Sequence, residues 1–77
     1  MMVIERRIKE LLAEYASKLS DCNTLIEVED KRNRDARRAG TDQHEHQLVL
    51  RALWAKQRAY WQAVVDIESL LDEVVIE

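Results

Sequence analysis

Glycine, which weakens a helix in mid-run, occurs once in this chain, at Gly40, and proline, the stronger breaker, is absent altogether. A chain of 77 residues with a single breaker near its middle has few choices. It is long enough for one small domain, 1–77, and rich enough in charge (35%) and apolar residues (47%) to make that domain from long amphipathic helices. One glycine also excludes the glycine-rich phosphate-cradling loops of P-loop and dinucleotide-binding folds.

The surroundings of Gly40 carry matching signals. Arg34, Arg37 and Arg38 fall in the last turn before it, where positive charge suits the exposed carbonyls, and Gly40 fits the left-handed residue after a helix end. Beyond it, Asp42 or Thr41 can cap a second helix, with Glu45 three residues past Asp42 as a capping-box partner. We therefore expect helices over about 3–38 and 42–75.

Each predicted helix carries a heptad stripe. Ile8, Leu12, Tyr15, Leu19, Cys22 and Ile26 alternate at spacings of four and three, as do Leu50, Leu53, Gln57, Tyr60, Val64, Ile67, Leu71 and Val74. A turn this short makes the helices antiparallel neighbours, so the fold class is all-α, a long antiparallel helical hairpin. Pairing about Gly40 sets Ile8 near Val74, Leu19 near Tyr60 and Val64, and Ile26 near Leu53. It also brings Arg6, Arg7 and Lys9 toward Asp72, Glu73 and Glu77. Glu29, Asn33 and His46 make the seam polar toward the turn, so packing is expected to weaken there and mobility to concentrate there.

Apolar residues are not confined to the seams. On one flank lie Ile4, Leu11 and Leu25 of the first helix with Val49, Ala63 and Leu70 of the second, a stripe that a lone hairpin would leave wet. Chains this short usually need a disulfide, a metal or a partner subunit. A single cysteine forms no internal disulfide and no zinc-ligand spacing is present, so we expect a homodimer, joined along this flank as a four-helix bundle or coiled coil. On the other flank Trp54 and Trp61 stand seven residues apart, with Val75 on the same line. Core widening is the ordinary explanation for helical aromatics; a docking hot spot is the sharper one.

Net charge is −3, but it is unevenly spread. Residues 31–38 hold five bases and one acid, while residues 61–77 hold five acids and no base. Such a basic tip can meet phosphate or an acidic surface, or its arginines can simply pair with Glu27, Asp30 and Asp35. His44 and His46 are two apart and point to different sides of a helix, so no metal is assigned; we expect His46 near the seam and His44 exposed. Cys22 reads as a small buried thiol. No catalytic residue and no cofactor is assigned, and the chain is not read as an enzyme. Nor does any stretch suit a signal peptide or a membrane span, which leads us to expect a soluble, cytoplasmic protein.

In plan, a dimer of helical hairpins resembles the small Rop-type regulators that bind RNA loops, and a charged coiled-coil tip resembles those that other proteins insert into RNA polymerase. The likeness is of architecture alone and carries no function. The leading expectation is a non-enzymatic protein-binding module, a small regulator or inhibitor of the kind found among phage-type accessory factors. Trp54 and Trp61 are its anchor, with Arg34, Arg37 and Arg38 steering the partner. Nucleic-acid binding through residues 31–38 is the first alternative, and a structural assembly subunit the second.

Overall fold

The computed structural model describes residues 2–76, and side chains over 3–74. Helix α1 runs Met2–Ala39 and helix α2 His44–Ile76, packed against each other as an antiparallel hairpin, and the described residues include no strand. The molecule is a rod, 58 × 14 × 13 Å, with a radius of gyration of 17.4 Å against about 11.5 Å for a compact domain of this length. None of the helices is long and apolar enough to cross a membrane.

Gly40 ends α1 in the way its sequence context implies. At φ 72° it takes the left-handed conformation, its N–H donates to Arg37 O at 3.2 Å, and the Thr41 N–H donates to Ala36 O at 2.9 Å. That pair of bonds is a Schellman motif. The Thr41 hydroxyl donates to the same Ala36 carbonyl at 3.1 Å, so Thr41 closes α1 instead of capping α2. Asp42 does serve the second helix, its Oδ1 accepting the His44 N–H at 2.9 Å. The expected reciprocal bond from Glu45 is absent among the described residues, and α2 starts two residues later than predicted, with Gln47 N donating to Gln43 O. A Cβ at position 40 would meet nothing within 4 Å, so replacing the glycine costs backbone strain only. Gly40→Ala should lower stability by about 1 kcal/mol and Gly40→Asn by less, as read from urea denaturation midpoints.

Contacts across the seam fix the register. The Tyr15 and Tyr60 rings meet at 6.3 Å between centroids, tilted by 54°. Gln57 Nε2 donates to Asn23 Oδ1 at 2.6 Å, and the Cys22 thiol donates to the Leu53 carbonyl at 3.3 Å, one turn from Ile26. The expected base–acid clamp at the open end does not form among the described residues, and Glu77 lies outside them. Arg7 instead reaches Glu10 at 3.5 Å and Lys9 reaches Glu5 at 3.1 Å, because acids one turn away on the same helix are nearer than any on α2.

Burial runs opposite to the sequence expectation. Cys22, Glu29, Asn33, Ala36 and Leu50 are buried and lie in the half nearer the turn; toward the open end Ile8 is the one buried position among the described residues. Short side chains at 22, 33 and 36 close the seam near the turn. There Glu29, its side chain 10% exposed, binds His46 Nδ1 through Oε1 at 2.6 Å and Arg32 through Oε2 at 3.6 Å. A carboxylate only accepts, so His46 donates from Nδ1. Toward the open end Leu12, Tyr15, Leu19, Val64, Ile67 and Leu71 are only half-buried, as a seam with no second layer above it must be.

Candidate docking surface

The antiparallel register gives the rod two distinct flanks beside its seam. On one, Lys18, Asp21 and Leu25 of α1 and Leu53, Lys56 and Tyr60 of α2 line a shared cleft of about 220 Å³. Seven-residue spacing from Leu25 and Lys56 sets Ile4, Leu11, Val49, Ala63 and Leu70 on this side. Ile4, Leu25, Val49 and Leu70 are each roughly half exposed or more, whereas Leu11 and Ala63 are already partly covered within the hairpin. Val28, one turn from Leu25, is a further exposed apolar residue that the seven-residue pattern passes over. Lys18 and Lys56 interrupt the stripe at mid-length; Lys18 is drawn aside by Glu14 at 3.6 Å and lies over the Tyr15 ring, 5.0 Å from its centroid.

The opposite flank is built differently. Trp54 and Trp61 are 50% and 55% exposed, so they do not widen the hairpin core. Each borders a cleft between the helices. Leu19, Asn23, Gln57, Arg58 and Trp61 line one of about 310 Å³; Asp30, Asn33, Arg37, Gln47, Leu50, Arg51 and Trp54 line another of about 420 Å³. A third recess against Arg51, Trp54, Ala55 and Arg58 joins them along α2. The resulting line is Arg51, Trp54, Arg58, Trp61, a cation and an aromatic alternating at spacings of three, four and three. Val75, expected on the same line, has its side chain outside the described residues.

Of the three predicted steering arginines, one reaches this surface. Arg37 lines the Trp54 cleft, its Nε donating to Gln43 Oε1 at 3.5 Å. Arg34 pairs with Asp30 at 3.7 Å and Arg38 is exposed, and neither lines the clefts. Arg51 and Arg58 take their place. Among the described residues no carboxylate lies within 4 Å of either one. The 3-4-3 spacing with the tryptophans was the sequence signal for both.

Asn33, one of the residues lining the Trp54 cleft, is 8% exposed, and its Oδ1 is buried from solvent without a hydrogen-bond partner. An orphaned acceptor of this kind costs a protein about 1–3 kcal/mol. Asn33→Leu should accordingly raise stability by about 1 kcal/mol in urea denaturation. A drop of the same size would show that the amide is needed where it stands.

Other reactive groups are engaged in structure. His46 is bound to Glu29, His44 is exposed, and the Cys22 thiol is buried against Leu53 O. Among the described residues no cluster of three or more His, Cys, Asp or Glu side chains is placed to hold a metal ion. The surface offers flat aromatic area at Trp54 and Trp61 beside guanidinium groups of Arg51 and Arg58 that have no acid in reach among the described residues. No protein-family model, no curated protein and no solved structure matches the chain.

Proposed function

We propose that this chain is a non-enzymatic interaction module, a small cytoplasmic regulator or inhibitor. Two hairpins pair along the flank of Ile4, Leu11, Leu25, Val49, Ala63 and Leu70 into a four-helix bundle, and each presents Trp54 and Trp61 to a partner protein. The observation that carries this reading is surface. The single hairpin exposes 6201 Å², about 1,300 Å² more than the roughly 4,900 Å² typical of a folded monomer of 9.1 kDa. A standard interface removes about 800 Å² per partner. One pairing of hairpins along the aliphatic flank offsets most of the excess and still leaves the tryptophan flank free.

Tryptophan with arginine is the composition of interface hot spots, and half-exposed tryptophans are poor candidates for mere solvent-facing filler. The test is affinity capture of host proteins with the wild type and with Trp54→Ala/Trp61→Ala. A partner held by the first and lost by the second, with dimer mass and helicity unchanged, supports the reading. Equal capture by both removes the anchor. Phosphate binding at residues 31–38 is the weaker alternative, because Arg32 and Arg34 there are paired with Glu29 and Asp30. A structural assembly subunit is the third, and would give particles larger than a dimer.

A further inference from the structure

Taking the tryptophan flank as a docking surface, its chemistry narrows what can dock. We propose that the partner presents an acidic peptide segment to this face. Its carboxylates pair with Arg51, Arg58 and Arg37, and an apolar side chain packs beside Trp54.

Two observations carry the assignment. Arg51 and Arg58 face outward with no acid within reach among the described residues, and Arg37 opens into the same cleft bound only to an uncharged amide. An incoming carboxylate thus finds ready bidentate donors at the edge of aromatic surface.

Finally, the cationic stretch is short. Seven residues separate Arg51 from Arg58, about 10 Å along the helix, and beyond Trp61 the same line continues through Glu68 and Asp72. A nucleic-acid strand tracking the tryptophans would run onto those acids. A peptide with two carboxylates about 10 Å apart, such as acids at positions i and i+7 of a helix, fits and stops. A second copy of this chain fits less well, because the end bearing Asp72 and Glu73 also bears Arg6, Arg7 and Lys9.

The probe is a displayed library of random peptides about 15 residues long, selected on the intact protein. One selected peptide is then labelled and titrated by fluorescence anisotropy. Net-negative peptides should be enriched, and affinity should fall roughly tenfold between about 50 and about 300 mM NaCl. Arg51→Glu/Arg58→Glu should weaken it roughly tenfold or more, with helicity and mass unchanged. Enrichment of neutral or basic peptides, or an unchanged affinity in Arg51→Glu/Arg58→Glu, would overturn the acidic partner while leaving the docking face standing if Trp54→Ala/Trp61→Ala abolishes binding. Full retention by the tryptophan double variant would instead remove the docking face itself. Two further results also overturn the proposal: an oligothymidylate that binds more tightly than any selected peptide, and a blue shift of tryptophan emission on raising protein concentration alone, which would seat a second copy on this face.

Discussion

Leu25→Glu combined with Leu70→Glu is expected to split the proposed dimer into single chains and to melt most of its helix at micromolar concentration. Both leucines are roughly half exposed in the single hairpin, so neither substitution disturbs the seam that joins α1 to α2. What they remove is the flank that we propose joins hairpin to hairpin. Covering the exposed half of a leucine is worth about 1 kcal/mol, so four lost across a dimer come to about 4 kcal/mol, before the cost of bringing unpaired carboxylates into an apolar interface. Total stabilities of small domains are only about 5–15 kcal/mol. Sedimentation gives the mass and circular dichroism the helix content. Ala55→Glu, an exposed position off that flank, serves as the control and should change neither. A double variant with wild-type mass and wild-type helicity would show that the flank is solvated surface and nothing more.

His46→Ala should cost about 2–3 kcal/mol, a large effect for a residue that is a third exposed. The reason lies in its partner. Glu29 is buried on the seam, and without His46 its carboxylate retains only Arg32, which stands at 3.6 Å and is mostly in solvent. Stranding a buried charge is more damaging than losing a bond, since replacing both partners by apolar groups is often close to neutral. Glu29→Leu with His46→Leu should therefore be markedly more stable than His46→Ala. A double-mutant cycle in urea separates the two effects. If removing either partner costs no more than removing both, the pair is a surface contact and does not hold the register.

The hairpin itself was legible because so little could interrupt it. With no proline and Gly40 alone in the middle, the two heptad stripes had to run unbroken, and Ile8, Cys22 and Leu50 are buried where the stripes put them. The packing gradient was not legible. Scoring Glu29, Asn33 and His46 as polar marks that stretch as weak, but hydropathy does not register that two of the three satisfy each other across the seam, or that short side chains at 22 and 36 let it close. The ion pairs at the open end differ from the expected ones for a related reason: Arg7 and Lys9 have acids of their own helix one turn away, and local partners win over distant ones.

On the docking surface, Trp54 and Trp61 announced themselves by size and by a spacing of seven. Arg51 and Arg58 did not, because a charge on an amphipathic helix is expected to face water and gains meaning only when the groove beside it is seen. Asn33 is the least readable of all. Its residue type suits a polar seam position, and only the folded chain shows that its oxygen has nothing to bind.

The most direct test of the central claim, that one hairpin leaves too much apolar surface uncovered to stand alone, is sedimentation equilibrium of the wild-type chain across the micromolar range. A dimer of about 18 kDa, twice the 9.1 kDa chain, dissociating and unfolding together on dilution, is the expected result. A fully helical 9.1 kDa species, unchanged in mass at every concentration, would contradict it.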